Sequence, residues 1–148
     1  MSLFKLFNIF SRRARATLEI YTDGSFKNGR GSWAFVMLRN GVVMREASGT
    51  QRKTNSLRME MQAVIEALRS LPESSAQATV YCDSRPVLDL FLRGVYVSSS
   101  KPNYDLVSQL LILNQKHTIN WRWVKAHSGK MFNERCDELC VQARSAPF

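Results

Sequence analysis

The sequence has 148 residues and carries 21 Lys and Arg against 12 Asp and Glu, which gives a net charge of +9. Its length fits one domain of ordinary size, and 45% hydrophobic with 22% charged residues argues against a disordered chain. No run of about 18 apolar residues is present, so no membrane-spanning helix is expected. The positive charge favours a polyanionic partner, either nucleic acid or an anionic membrane surface.

Residues 1–17 differ from the rest of the chain. Apolar residues recur there at helical spacing and are followed by arginines, which predicts a short basic amphipathic helix. Most of the charges follow the apolar positions, whereas a secretory signal places them before. We expect this segment to pack on the domain, with a mitochondrial transit peptide as the alternative.

From residue 18 onwards the pattern predicts a mixed α/β domain. The predicted strands are 18–22, 33–38, 42–47, 78–82 and 119–123, and the predicted helices are 56–71, 84–94, 104–114 and 133–144. Asn40-Gly41 is a strong hairpin signal between the second and third strands. The order βββαβααβα predicts one five-stranded sheet whose first three strands are antiparallel, with helices on both faces.

The cysteines are few. There are three, Cys82, Cys136 and Cys140, which argues against a disulfide framework and favours a reducing compartment. Cys136 and Cys140 lie four positions apart on a predicted helix, but no second Cys/His pair follows at zinc spacing. They are interpreted as small core residues.

Several acidic residues occupy positions that suit a binding site. Asp23 is predicted to end the first strand and Asp83 the fourth, and ligands of open α/β sheets bind at such ends; each alone also fits a turn or capping residue. Glu60 lies on a largely apolar helix face, where a carboxylate is costly unless it is paired or binds a metal. Asp137 lies early in the last helix beside two glutamates, so spacing alone does not choose among the three.

Four sequence blocks together resemble the type 1 ribonuclease H family. They are YTDGS at 21–25, TNSLRME at 54–60, CDS at 82–84, and WVKAHSG at 123–129 followed by NERCDEL at 133–139. Their order and approximate spacing match the family over about residues 18–144. The resemblance implies an endonuclease that hydrolyses the RNA strand of an RNA–DNA hybrid and leaves 5′-phosphate and 3′-hydroxyl ends.

The resemblance also implies roles for individual residues. Asp23, Glu60, Asp83 and Asp137 match the family's metal-binding carboxylates, which hold two Mg²⁺ ions, with Mn²⁺ as a substitute. His127 matches the loop histidine that transfers protons and aids product release. The other histidine, His117, has no such context and is expected to be a surface residue.

Substrate contacts are implied at six further positions. Asn28, Asn55 and Ser56 lie where the family contacts the RNA backbone, and Thr54, Arg58 and Arg85 are candidates for phosphate contacts. Turn residues and solvated cations are equally compatible with these positions. Recognition of the 2′-hydroxyl and of the backbone predicts strand choice with little base specificity.

The sequence departs from the family pattern at two places. The stretch between Asp83 and the helix at Tyr104 is too short for the basic, tryptophan-rich handle of the best-known bacterial members, so a handle-less member is expected. We hypothesise that residues 1–17 compensate by adding phosphate contacts. The block before Glu60 is one residue longer than the common form, which leaves the roles of Asn55 and Ser56 open.

Three alternatives remain at this stage. One is a hybrid-binding module without activity, which the four acidic motif positions disfavour. Another is a nuclease of the same superfold with a different substrate, which the WVKAH block disfavours. The third is a domain of a reverse transcriptase, which the start at Met1 disfavours. We expect a monomer without a stable protein partner, in the cytoplasm or, in a eukaryote, the mitochondrion, with residues 18–148 forming the catalytic domain.

Overall fold

The computed structural model describes residues 18–72, 76–94, 97–127 and 129–147, so the helix predicted for residues 1–17 lies outside the described residues. The elements are β1 Leu18–Lys27, β2 Arg30–Arg39, β3 Val42–Gln51, α1 Ser56–Arg69, β4 Gln77–Cys82, α2 Arg85–Leu92, α3 Tyr104–Lys116, β5 Thr118–Trp123 and α4 Met131–Ser145. The predicted order βββαβααβα is confirmed. No helix in the described part of the chain is long and apolar enough to cross a bilayer.

The sheet has the strand order β3-β2-β1-β4-β5. Strands β1, β2 and β3 are antiparallel, as predicted, and β4 and β5 continue the sheet parallel to β1. Two tight turns connect the antiparallel strands, Asn28-Gly29 and Asn40-Gly41, and all four of these residues have positive φ. This geometry matches the right-handed twist of a hairpin and favours Asn-Gly. Only the second turn was predicted, although the first carries the same signal.

The missed turn explains why the prediction that β1 ends at Asp23 is wrong. Strand β1 keeps its pairing with β2 as far as Lys27. Its parallel pairing with β4 stops earlier, at Thr22 opposite Cys82. Asp23 and Asp83 therefore each directly follow the last residue pair between β1 and β4, so they lie next to each other as the prediction required.

Helices cover both faces of the sheet, as predicted. Helices α1, α2 and α3 pack on one face around the larger core cluster. On the other face α4 packs its buried Cys136 and Cys140 against Ala34, Val36 and Leu38 of β2. The interpretation of these two cysteines as core residues is confirmed, and burial raises the pKa of Cys140 to about 12. Among the elements that the structure describes, α4 is the one that covers this face of the sheet.

Two local predictions need correction. Ser84 stands at the N-cap of α2, but its side chain makes no capping hydrogen bond, and Pro86 in the first turn favours the helix start instead.

His117 is not a simple surface residue: it is half-buried, and its Nδ1 accepts a hydrogen bond of 3.1 Å from the backbone N–H of Ala76. The sequence around His117 gives no signal for this contact because Ala76 lies 41 residues away.

Candidate active site

The site begins with the close approach of α1 to β1. A β-carbon at Gly24 would lie 2.2 Å from the backbone nitrogen of Glu60 and 2.3 Å from the carbonyl carbon of Met59. Only glycine therefore allows the helix to pass this close to the strand. Asn55 fixes where the helix starts, because its side chain accepts a hydrogen bond of 2.9 Å from the backbone N–H of Arg58. The start of α1 is thus held next to Asp23.

Three carboxylates meet at this approach. Asp23 is buried, its Oδ1 accepts a hydrogen bond of 3.0 Å from the backbone N–H of Gly24, and its carboxyl group interacts with that of Glu60. Glu60 Oε2 is buried without a hydrogen-bond partner among the described residues. One ligand atom from each of Glu60, Cys82 and Asp83 lies within 4.8 Å of the others. The prediction that Glu60 sits on an apolar helix face without ordinary solvation is therefore confirmed.

Electrostatics show that these groups act on one another and that Asp137 joins them. Burial, reinforced by Asp83 and Asp137, raises the pKa of Asp23 to about 7. Burial also raises the pKa of Glu60 well above its ordinary value, and Asp23 and Asp83 add to the effect. The pKa of Asp83 is raised by burial and by Asp137, while His127 opposes the rise. The four predicted carboxylates thus belong to one group of interacting carboxyl groups, named here the acidic cluster: Asp23, Glu60, Asp83 and Asp137.

The acidic cluster fits a divalent cation. Its carboxylate oxygens are hard ligands of the kind that Mg²⁺ and Mn²⁺ prefer. The unpartnered Oε2 of Glu60 and the raised pKa values indicate that the described protein groups do little to stabilise the ionised carboxylates. A bound cation would remove this cost. Cys82, whose buried thiol lies beside the cluster, was missed by sequence reasoning, and the available signal was its position directly before Asp83.

The structure distinguishes two of the three acids of the last helix. Asp137 acts electrostatically on Asp23 and Asp83. Glu138 pairs instead with Arg135 at 3.1 Å, with 61% of its side chain exposed. Of these two residues, Asp137 is the one that interacts with the other carboxylates.

The rim of the site carries an exposed histidine and an aromatic residue. His127 has a φ of +53° and is exposed. It lies close enough to Asp83 to lower the pKa of that carboxyl. The indole N–H of Trp123 donates a hydrogen bond of 3.3 Å to the backbone carbonyl of Asp83. The guanidinium of Arg85 lies 4.0 Å above the Trp123 ring, a cation–π contact. The sequence places Trp123 on a strand and at the start of the WVKAHSG block but indicates no role at the site, so its contact with Asp83 was missed.

The residues predicted for substrate binding fall into different environments. Ser56 is exposed at the start of α1, whereas Asn55 is its N-cap. Thr54 has a buried Oγ1 without a partner among the described residues. Arg58 forms a double hydrogen bond with Asp105, at 3.0 and 2.6 Å. Asn55 and Arg58 are therefore both engaged in hydrogen bonds within the protein.

The remaining two substrate candidates keep groups open to solvent. Asn28 is exposed in the β1–β2 turn, with a φ of +54°. Arg85 is exposed and is held over Trp123 beside the acidic cluster. Asn28 therefore lies at the tip of the strand that carries Asp23, and Arg85 lies two residues after Asp83.

Comparison with known proteins identifies the family to which the chain is similar. The family model described as RNase H matches residues 15–145. Ribonuclease H of Chlorobium luteolum is 40% identical over 139 residues, covering 85% of this chain and 94% of that protein. Ribonuclease H of Erythrobacter litoralis is 38% identical over 138 residues, with the same coverages of 85% and 94%.

Two solved structures share the fold. LC9-RNase H1, a type 1 RNase H with the type 2 active-site motif, matches with a TM-score of 0.75 and 24% identity, covering 87% of this chain and 72% of that chain. LC11-RNase H1, solved in complex with an RNA/DNA hybrid, matches with a TM-score of 0.70 and 19% identity, covering 86% of this chain and 96% of that chain.

The sheet order and the helices on both faces define a ribonuclease H fold. The chain belongs to the ribonuclease H family of enzymes. The resemblance read from the sequence is thereby confirmed. In the described residues between α2 and α3 no further helix occurs, in keeping with the expected handle-less form.

Proposed function

We propose that this enzyme is an endonuclease that hydrolyses the RNA strand of RNA–DNA hybrids and leaves 5′-phosphate and 3′-hydroxyl ends. The observation that carries the proposal is the convergence of four carboxylates from β1, α1, the end of β4 and α4, whose burial and repulsion raise the pKa of Asp23 to about 7. Membership of the ribonuclease H family and the hybrid bound by LC11-RNase H1 support this substrate.

Asp23, Glu60, Asp83 and Asp137 would hold two Mg²⁺ ions, or Mn²⁺ in their place. When bound, such ions activate the attacking water and neutralise charge on the departing 3′ oxygen. The chain's own contribution is a rigid set of oxygens: Gly24 brings α1 against β1, and the Gly24 N–H orients the Asp23 carboxylate. His127 would move protons at its exposed imidazole nitrogens, close to Asp83.

We assign substrate contacts to the exposed candidates and positioning roles to the engaged ones. Asn28, Ser56 and Arg85 would contact the hybrid backbone from the rim of the site. Asn55 and Arg58 would act by fixing the start of α1. Thr54, with its buried hydroxyl, would support the loop between β3 and α1.

We further propose that residues 18–148 form the catalytic domain and that residues 1–17 add phosphate contacts in place of a handle. A monomeric enzyme in the cytoplasm fits this arrangement. Removing residues 1–17 should weaken hybrid binding and flatten its salt dependence. An unchanged salt dependence would discard the role of this segment without touching the catalytic proposal.

The test is digestion of a labelled RNA–DNA hybrid beside single-stranded RNA, RNA duplex and DNA duplex, each with Mg²⁺ and with Mn²⁺. We expect cutting of the hybrid alone, with product ends that phosphatase dephosphorylates at the 5′ side. Asp137→Asn should abolish cutting while hybrid binding persists. The matched variant Glu138→Gln, one position along the same helix but paired with Arg135, should cut normally. Equal cutting of all four substrates, or normal cutting by Asp137→Asn, would refute the proposal.

A further inference from the structure

Two cysteines of α4 make hydrogen bonds to the backbone of β1. The thiol of Cys136 donates to the backbone carbonyl of Tyr21 at 3.3 Å. The thiol of Cys140 donates to the backbone carbonyl of Asp23 at 3.6 Å, and both cysteines are fully buried. A thiol is a weak donor, but one of these two acceptors belongs to the acidic cluster. Helix α4 therefore contacts the main chain of Asp23 directly.

A third contact continues this series along the same helix and strand. The guanidinium of Arg144 donates to the hydroxyl of Ser25. The three donors thus stand at every fourth residue of α4, and the three acceptors at every second residue of β1. Four residues advance a helix by about 6 Å, and two residues advance a strand by about 6.6 Å. Because the two spacings nearly coincide, all three contacts form together, and a slip of the helix by one or two residues would break them all.

We call these three contacts the α4–β1 ladder, and a further pair of hydrogen bonds holds the same end of the helix. The guanidinium of Arg30, on β2, donates to the backbone carbonyls of Arg144 and Ala146 at 2.7 and 2.6 Å. At the start of α4 the N-cap residue Lys130 makes no side-chain capping hydrogen bond. The position of α4 along the sheet is therefore fixed by contacts along the helix and at its end.

The α4–β1 ladder includes the positions of two carboxylates of the acidic cluster. Asp137 directly follows Cys136, the first donor, and Asp23 supplies the second acceptor. Sliding α4 by one residue would move Asp137 by about 1.5 Å relative to Asp23. A Mg²⁺ site needs near-ideal octahedral geometry, with ligand distances held within about 0.2 Å. A metal centre that uses both carboxylates therefore depends on the register of α4 on β1.

We propose that the α4–β1 ladder positions Asp137 relative to Asp23 for binding a divalent cation, with Cys140 as a positioning residue. This inference rests on the proposed function, because it takes the two carboxylates as ligands of one metal centre. The three donors act through the strand and the helix, and none of them contacts the cation. Partners that hold a ligating side chain affect metal affinity by about 10–100-fold. Cys140 holds the main chain of Asp23 instead, so we expect a smaller effect, about three- to tenfold.

The first test measures the Mg²⁺ affinity of Cys140→Ala without substrate, from the dependence of its free energy of unfolding in urea on Mg²⁺ concentration. Alanine keeps the helix and removes the donor. We expect the Mg²⁺ dissociation constant to rise about three- to tenfold. In hybrid cleavage kcat should fall at limiting Mg²⁺ and recover at saturating Mg²⁺, while KM for the hybrid stays unchanged because no substrate contact is lost.

The matched control is Leu139→Val, at the neighbouring position of α4. Leu139 is buried in the same core cluster as Cys140, and its side chain has no polar atom that could bond to β1. Losing one methylene lowers stability through packing alone. The control should keep the wild-type Mg²⁺ dissociation constant even where its urea midpoint falls as far as that of Cys140→Ala. An equal rise in both variants, or no rise in Cys140→Ala, would overturn the inference.

A second test breaks the ladder from the strand side. Ser25→Ala removes the third acceptor and leaves the charge of Arg144 in place. Each single variant keeps two of the three contacts, whereas Cys140→Ala, Ser25→Ala keeps one. The double variant should therefore weaken Mg²⁺ binding by more than the product of the two single effects. If the two effects only multiply, the contacts act independently and do not set the register together, which would contradict the proposal.

The wild-type chain separates a failure of this inference from a failure of the proposed function. Mg²⁺-dependent cutting of hybrid by wild type, with an unchanged Mg²⁺ dissociation constant in every ladder variant, would overturn the role of the α4–β1 ladder alone. If wild type neither gains stability from Mg²⁺ nor cuts the hybrid, the proposed function itself fails.

Discussion

The backbone nitrogen of Glu60 lies where the side chain of any residue other than glycine at position 24 would begin. A β-carbon there would come within 2.2 Å of that nitrogen, and backbone atoms cannot yield as a flexible side chain can. Gly24→Ala should therefore destabilise the fold by about 2 kcal/mol or more, and should lower cleavage by displacing Glu60 from Asp23. Urea unfolding and a hybrid-cleavage assay measure the two effects.

Gly41→Ala is the control for this substitution. Gly41 lies in the β2–β3 turn with a φ of +77° and open space around its β-position, so only backbone strain of about 1 kcal/mol is expected, with activity retained. Gly24→Ala protein with wild-type stability and cleavage would contradict the close approach.

The raised pKa of Asp23 predicts how the metal-free enzyme responds to pH. Because the pKa rises from 3.8 in the unfolded chain to about 7, the folded protein keeps a proton that the unfolded chain has released. The free energy of unfolding should therefore fall as the pH rises from about 4 to about 7. Asp23→Asn removes this group, so the variant should be more stable than wild type at pH 8 in the presence of a chelator, by a margin on the order of a few kcal/mol.

Addition of Mg²⁺ gives this prediction a second readout. Cation binding to the folded state should raise the stability of wild type at pH 8, and should raise that of Asp23→Asn much less. Asp89→Asn, on the exposed side of α2, should behave as wild type in both conditions. If Asp23→Asn is less stable than wild type at pH 8 in the presence of chelator, then repulsion within the acidic cluster does not govern the stability of the metal-free enzyme.

Arg58 and Asp105 allow the positioning role of Arg58 to be separated from substrate binding. Their ion pair, 2.6 Å between Nη2 and Oδ2, joins the first turn of α1 to the start of α3. Asp105→Asn should cost up to about 1 kcal/mol, since the carboxylate is 58% exposed, and should lower kcat modestly by loosening α1. The variant leaves the Arg58 charge in place, so hybrid affinity should stay unchanged or rise, whereas Arg58→Gln should reproduce the loss in kcat.

If Arg58 instead grips a phosphate in the wild-type enzyme, Arg58→Gln will raise KM strongly while Asp105→Asn leaves kcat intact. Steady-state kinetics on one hybrid, for both variants and for wild type, distinguish the two outcomes. The ion pair also explains why a phosphate role for Arg58 was a reasonable expectation from its motif: the sequence shows the cation but not the acid 47 residues away that holds it.

The fold could be predicted from local sequence patterns because each helix and strand has a pattern of its own. Alternation, helical spacing and one Asn-Gly turn were enough for the element order and the antiparallel start of the sheet. The error at the end of β1 arose because Asp23-Gly24-Ser25 reads as a turn, whereas Gly24 is needed for packing against α1. A single sequence does not distinguish these two uses of glycine.

The acidic cluster was predicted in part by physical reasoning and in part by resemblance. Glu60 could be singled out because a carboxylate on an apolar face needs a partner, and the structure buries its Oε2 without a hydrogen-bond partner among the described residues. Asp137 could be separated from its neighbours only by the motif. Cys82 and Trp123 were not identified, because their contacts with the site depend on how β4 and β5 end, which no local pattern specifies.

His117 provides a pH-dependent test away from the active site. Its Nδ1 accepts the Ala76 N–H only when the imidazole is neutral, and burial lowers its pKa below the ordinary 6.5. The folded protein therefore binds fewer protons here than the unfolded chain. The contribution of this group to the free energy of unfolding is present above pH 6.5 and is lost as the pH falls below that value.

His117→Asn keeps an acceptor at the same place without a titrating group. Its free energy of unfolding should decrease less between pH 7 and pH 5 than that of wild type, by at most about 1 kcal/mol. Urea unfolding across this range measures the difference, with His127→Asn as the comparison because His127 is exposed and makes no such bond among the described contacts. An identical acid response in His117→Asn and wild type would show that the hydrogen bond to Ala76 contributes nothing to folding.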